Sequence, residues 1–233
     1  PQSALCEIIE ALRDVTDFGE MKTYRWTINN WTSSIYVEFP EKAAELRDYY
    51  ELRDDFVPGL WLMTSDTGES SVQIYPTWRR GSSISFVEKA GVKRVHSGKV
   101  ELSDIIEKVV EKAFAEYTRM PEALCSLMRQ NITDDACDIA TDKGARQNQK
   151  AIEDAIKAAF KALNITKAIG KGYEKSLREQ LCAEISGKIR YTAYDIATMI
   201  MSLPERLEGV NKETLHKLES AVAGAPYITY CSK

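Results

Sequence analysis

Histidine and patterned cysteine are what this 233-residue sequence most lacks. His96 and His216 are its two histidines, and the five cysteines (Cys6, Cys125, Cys137, Cys182, Cys231) contain no Cys-x-x-Cys pair. The usual zinc spacings therefore cannot be assembled. The thiols are expected to be small buried or half-buried side chains in a reducing compartment. No run of about 18 apolar residues occurs, so no membrane-spanning helix is expected. The opening residues, Pro1 to Glu7, lack the basic and apolar stretches of a secretory signal. A cytoplasmic location follows as the expectation, and the Asn-x-Thr triplets at Asn30, Asn131 and Asn164 are then chance matches. Gly170-Lys171-Gly172 lacks the spacing of a phosphate-binding loop, there is no nucleophile elbow, and neither histidine sits in a recognisable base pairing. No cofactor is expected. Internal repeats and low-complexity tracts are absent too.

Apolar residues make up 44% of the chain and charged residues 28%, with a mean hydropathy of −0.34. These values suit a globular protein and exclude disordered and fibrous classes. The formal net charge of −4 hides an uneven distribution. Residues 101–142 carry net −6, and residues 143–190 carry net +6. That split is the best functional clue in the sequence.

The expected fold is mainly α: a helical core of six or seven helices in residues 101–233, after a small mixed α/β region in residues 1–100. A short helix ends near Arg13, and strands are expected at Tyr24–Ile28, Ser71–Tyr75 and Ser83–Phe86 from their alternation. Between them, Glu41–Asp55 reads as an exposed helix ended by Val57-Pro58-Gly59. Trp26, Trp31, Trp61 and Trp78 all fall in this region, where they can stack on bases or fill core and subunit contacts. From Leu102 the apolar period becomes helical, giving one helix to about Arg119 and another beginning at Pro121. Further helices are expected at Asp134–Thr141, residues 147–163, Tyr173–Ile185 after a turn at Gly170 and Gly172, Ile189–Ser202, and Lys212–Ala223 capped by Asn211.

The helix over residues 147–163 is basic on one side. At 100° per residue, Arg146, Lys150, Lys157 and Lys161 share a sector of about 60°, joined by Lys143 if the helix extends back across Gly144. Its apolar residues, Ile152, Ala155, Ile156, Ala159, Phe160 and Leu163, lie on the opposite side. Lys167, Lys171, Lys175 and Arg178 extend the positive block. Like charges one turn apart disfavour a helix, and a line of them invites polyphosphate. Alternatively the row is a solvated face, or it meets the acidic segment 101–142 in the same chain or a neighbouring copy. A separate string, Asp134-Asp135-Ala136-Cys137-Asp138, would set Asp134, Asp138 and Asp142 on one helical face. There, hard oxygens could hold Mg²⁺ against a diphosphate. The string resembles the aspartate-rich motif of all-helical isoprenyl-diphosphate enzymes, although the second metal motif of those enzymes is missing here.

Several short segments resemble the coat proteins of flexuous filamentous plant RNA viruses, the potyvirus-like ones especially. They are Trp26-Thr27-Ile28-Asn29-Asn30-Trp31-Thr32-Ser33, Gly59-Leu60-Trp61-Leu62-Met63, Ile74-Tyr75-Pro76, Ala113-Phe114-Ala115-Glu116-Tyr117 and Arg190-Tyr191-Thr192-Ala193-Tyr194-Asp195. Arg129-Gln130-Asn131-Ile132-Thr133-Asp134 is similar to the segment just upstream of the last motif. The chain departs from the family in a long insertion between Ser33 and Gly59, and in having Ser103 or Asp104 where the family has its RNA-contacting arginine. The resemblance implies that Ser33 and Asp195 sit in an RNA pocket and that the cationic role moves to Arg94, Lys99 or the basic helix.

The leading expectation is a non-enzymatic, self-assembling coat or nucleocapsid protein that packages single-stranded RNA, in the cytoplasm and the virion. Arg146, Lys150, Lys157, Lys161, Lys167 and Lys171 would contact phosphates, with Arg190 and Asp195 as a buried structural pair. The alternatives are a cytosolic helical module that binds an acidic partner, and a Mg²⁺-dependent diphosphate enzyme using Asp134, Asp135 and Asp138.

Overall fold

The computed structural model describes residues 9–13, 19–28, 32–65, 72–94, 102–133 and 137–230. Among these residues the chain is mainly α, with eight helices and an N-terminal α/β region whose sheet has six strands. Residues 9–13 (α1) are followed by β1 (Lys22–Ile28), β2 (Thr32–Glu38), α2 (Pro40–Tyr50), β3 (Val57–Ser65), β4 (Val72–Arg80), β5 (Ser83–Phe86) and β6 (Val92–Arg94). Then come α3 (Leu102–Met128), α4 (Asp142–Ala162), α5 (Ile165–Ile169), α6 (Lys171–Glu184), α7 (Ala193–Met201) and α8 (Lys212–Val222). None of the described helices is long and apolar enough to cross a membrane.

The chain divides into two compact units. One takes the described residues through Gly81 with Phe86–Pro121, and the other takes Ser82–Ser85 with the described residues from Glu122 onward. The division thus falls inside α3, whereas the sequence suggested a boundary ahead of it.

In the first unit, β1 to β4 form an antiparallel meander, and β6 pairs with β4. On β3, Leu60 and Leu62 are wholly buried while Trp61 and Met63 are half-buried, the period-two signature of a strand. Trp61 lies opposite Tyr75 on β4, and their rings stack with centroids 5.7 Å apart. Trp78 is a core residue, its ring edge-on to Tyr117 of α3 at 5.3 Å. The Tyr117 hydroxyl donates to the Gly59 carbonyl at 2.5 Å, joining helix to sheet. α2 starts on Pro40, buries Ala43 and Leu46, and ends at Glu51, whose φ is 54°. It therefore stops before Val57-Pro58-Gly59, and those residues open β3.

α3 runs through Pro121 without the expected restart. Val109, Ala113, Tyr117, Met120, Leu124 and Leu127 form one buried stripe along its length. That burial outweighs the single backbone hydrogen bond a proline cannot donate.

In the second unit, α4 packs against α7, and α5 packs against α8 and α6. Wholly buried Ile152, Ile156, Ile165, Leu181, Ile196 and Ile200 form the middle of its core. Four expectations are corrected here. Residues 137–141 are not helical, because Asp138 turns the chain by accepting from the Ala140 N–H through Oδ1 at 3.0 Å and from Thr141 through its carbonyl. α4 instead begins at Asp142, where the Thr141 hydroxyl accepts from the Gly144 N–H at 3.1 Å. Gly172 lies within α6, the turn being made by Gly170 alone at φ 84° after the separate helix α5. α7 begins at Ala193 rather than near Ile189, because Thr192 and Asp195 form a capping box there.

Candidate functional site

α4 carries the basic row. Its apolar side is closed by Ile152, Ala155, Ile156, Ala159 and Phe160, all buried. On the other side Lys143, Arg146, Lys150, Lys157 and Lys161 are all exposed. The early start at Asp142 brings Lys143 into the helix, so all five cations belong to one face. From Arg146 to Lys161 that face extends about 22 Å along the axis.

Inward anchoring keeps this face outward. Asn148 is wholly buried within the apolar side, and its Nδ2 donates to the carbonyls of Gly187 and Ile189 at 2.8 and 2.7 Å. A polar residue in the middle of an otherwise apolar stripe is the signal by which sequence reading could have found this anchor.

Among the described residues the cations divide into a set with ion pairs and a set without. On α6, Arg178 lies 3.6 Å from Glu174 and Lys175 lies 3.8 Å from Glu179, both at i,i+4 spacing. Lys167 on α5 and Lys171 at the start of α6 are exposed. No carboxylate among the described residues lies within the 4.0 Å ion-pair distance of Lys143, Arg146, Lys150, Lys157, Lys161, Lys167 or Lys171. Seven cations with no ion pair among the described residues, with like charges one turn apart on α4, leave a surface whose repulsion an anion would relieve.

At the C-terminal end of α4 the row borders an open cleft of about 700 Å³. Lys157 and Lys161 from α4, Lys167 from α5 and Arg178 from α6 line it, along with the carboxylates of Asp154 and Glu174. Ala158, Phe160, Asn164 and Thr166 complete the wall. Asn164, left-handed at φ 53°, turns the chain between α4 and α5 and so returns Lys167 to the lysines of α4. The sequence pointed to the cations but not to this cleft, because a turn made by a lone left-handed asparagine has no periodic signature.

Of the other expected site residues described in the second unit, Asp138, Arg190 and Asp195 do not line this cleft. Ser33 is buried on β2 opposite Thr64 in the first unit. Arg94 ends β6, and its side chain lies outside the described residues, as does Lys99 entirely. Arg190 is exposed rather than buried, and its guanidinium donates to the Cys137 carbonyl at 3.0 Å. Asp195 is half-buried and caps α7, with Oδ2 accepting from both the N–H and the hydroxyl of Thr192 at 2.7 Å. The helical face expected to align Asp138 with Asp142 does not form, since Asp138 precedes α4 in a turn. Asp134 and Asp135 lie outside the described residues. Among the described residues no group of three or more His, Cys, Asp or Glu side chains is placed to hold a metal ion. Cys125, Cys137 and Cys182 are free and half-buried, and burial pushes the Cys182 thiol up from its ordinary value.

Comparison of the chain with protein-family models, with curated proteins and with solved structures gives no match to any of them.

Proposed function

We propose that this is a non-enzymatic RNA-packaging protein of the coat or nucleocapsid kind, which holds single-stranded RNA by its phosphates along the exposed face of α4. One observation carries the reading: Lys143, Arg146, Lys150, Lys157, Lys161, Lys167 and Lys171 are exposed and have no ion-pair partner among the described residues. Each phosphate that such a cation neutralises releases a condensed counterion, and this makes a line of cations attractive to a polyanion without base preference. The resemblance of Trp26–Ser33, Gly59–Met63 and Arg190–Asp195 to flexuous-virus coat proteins adds support for self-assembly. So does the charge split, because net −6 in residues 101–142 and net +6 in residues 143–190 suit a head-to-tail contact between copies. Such heterologous contacts build filaments when they do not close. This reading places the protein in the cytoplasm and, after assembly, in the virion.

Sedimentation of native material with its absorbance ratio at 260 and 280 nm is the test. Large particles with nucleic-acid absorbance are expected. A clean monomer that takes up no RNA at low salt contradicts the proposal, and a monomer that captures an acidic protein replaces it with a binding module.

A further inference from the structure

We infer that the cleft at the C-terminal end of α4 is a phosphomonoester site that takes one nucleotide by its terminal phosphate. The inference rests on the RNA reading of α4 and names what the end of that face holds. The volume of about 700 Å³ lies within the range of small-molecule sites. Lys157 and Lys161 reach the cleft from successive turns of α4, and Lys167 reaches it from α5. Their spacing is fixed by the Asn164 turn, in which the Asn164 N–H donates to the Lys161 carbonyl at 3.1 Å and its carbonyl accepts from the Lys167 N–H at 2.9 Å. Arg178 is committed to Glu174 at 3.6 Å, so the three lysines are the cations left to meet a ligand.

The charge count favours a terminal phosphate over an internal one. Lys157, Lys161, Lys167 and Arg178 against Asp154 and Glu174 leave the cleft at +2. A monoester carries about −1.5 to −2 at neutral pH and offers three strong acceptor oxygens; a backbone diester carries a single charge. Ala158 and Phe160 give the wall an apolar part for a base, and Asp154, Asn164 and Thr166 offer polar groups to sugar hydroxyls and base edges. Two sources share this chemistry: the 5′-phosphorylated end of an RNA strand and a free nucleoside monophosphate.

The experiment titrates the full chain with adenosine 5′-monophosphate and with adenosine, then with one oligonucleotide in 5′-phosphorylated and 5′-hydroxyl forms. Lys167→Glu and Lys167→Arg are compared with Lys212→Glu, a charge reversal at an exposed residue outside the cleft. The monophosphate should bind about tenfold or more tightly than adenosine. That advantage should vanish in Lys167→Glu and persist in Lys167→Arg and Lys212→Glu. A preference for the phosphorylated oligonucleotide, lost in Lys167→Glu, identifies the strand end as the source. Monophosphate binding without that preference supports the site with the free nucleotide as its ligand. Equal binding of monophosphate and adenosine, or a Lys167→Glu protein that keeps the difference, overturns the inference. If RNA still binds in that case, only the cleft assignment falls; if RNA binding is missing as well, the reading of α4 falls with it.

Discussion

The Asn148 side-chain amide donates to the Gly187 carbonyl at 2.8 Å, across the wholly buried side of α4. The same nitrogen reaches the Ile189 carbonyl at 2.7 Å, so one side chain satisfies two carbonyls of the segment that leads to α7. Gly187 must come close for this to happen: a Cβ there would sit 1.9 Å from the Ala145 carbonyl oxygen. Asn148→Ala leaves two acceptors without their donor and should cost about 2 kcal/mol. Gly187→Ala forces backbone apart and should cost about as much or more. Chemical denaturation midpoints of the two variants check both values.

Asp195 should matter to stability through its cap. With Oδ2 on both the N–H and the hydroxyl of Thr192, Asp195→Ala is expected to lose about 1 to 2 kcal/mol. Thr192→Ala should lose a similar amount, and the double variant little more than either, because the two residues serve one cap. A thermal denaturation series over the four proteins measures this. Fully additive losses would show that Asp195 acts through something other than the capping box.

Glu38 on β2 is buried at 5% exposure and takes a two-pronged hydrogen bond from Arg79 on β4, with Nη2 to Oε2 at 3.0 Å and Nε on Oε1. Neighbouring Tyr36 has its phenol pushed above the ordinary value, by burial first and by the Glu38 charge second. Arg79→Ala would strand a carboxylate in the sheet and should destabilise the protein by about 3 kcal/mol. Replacing both residues with apolar ones should cost less than Arg79→Ala alone. Urea titration of the single and double variants distinguishes the two.

Arg206 holds the Glu184 carboxyl below its ordinary value of 4.5, chiefly through a side-chain hydrogen bond. A depressed folded value means the contact stabilises fully above the unfolded glutamate range and is lost as pH falls through the lower folded value. Arg206→Gln should therefore be less stable than the parent at pH 7, with the gap shrinking as the solution is made more acid. The effect is small because both side chains are partly exposed. Denaturation midpoints across an acid series read it out, and a gap that widens with acid would contradict the assignment.

The amphipathic period of α4 was legible because burial and exposure alternate over five turns, and the cations at residues 146, 150, 157 and 161 fell where the wheel put them. Local side-chain chemistry was harder to read. Asp138 accepts backbone hydrogen bonds that stop a helix, while Thr141 and the Thr192–Asp195 box start helices at positions that apolar spacing alone does not mark. β2 was missed because Ile35, Tyr36, Val37 and Glu38 are buried in succession, which removes the alternation that identifies a strand. The cleft depends on a left-handed Asn164 and a five-residue helix, too short for any period to show. The row of cations could therefore be located from sequence, but not the open cleft at its end.

The salt dependence of RNA binding tests the central claim most directly. Affinity of the full chain for a single-stranded oligonucleotide, plotted as logarithm against the logarithm of salt concentration, should fall with a slope of about −0.7 for each phosphate contact. Lys150→Glu with Lys157→Glu should weaken binding about tenfold or more at low salt and flatten the slope by about 1.4, while Lys212→Glu, a charge reversal off this face, leaves both unchanged. An RNA affinity that ignores the double substitution, or a parent protein whose binding shows no salt slope, would contradict the assignment of this face to RNA.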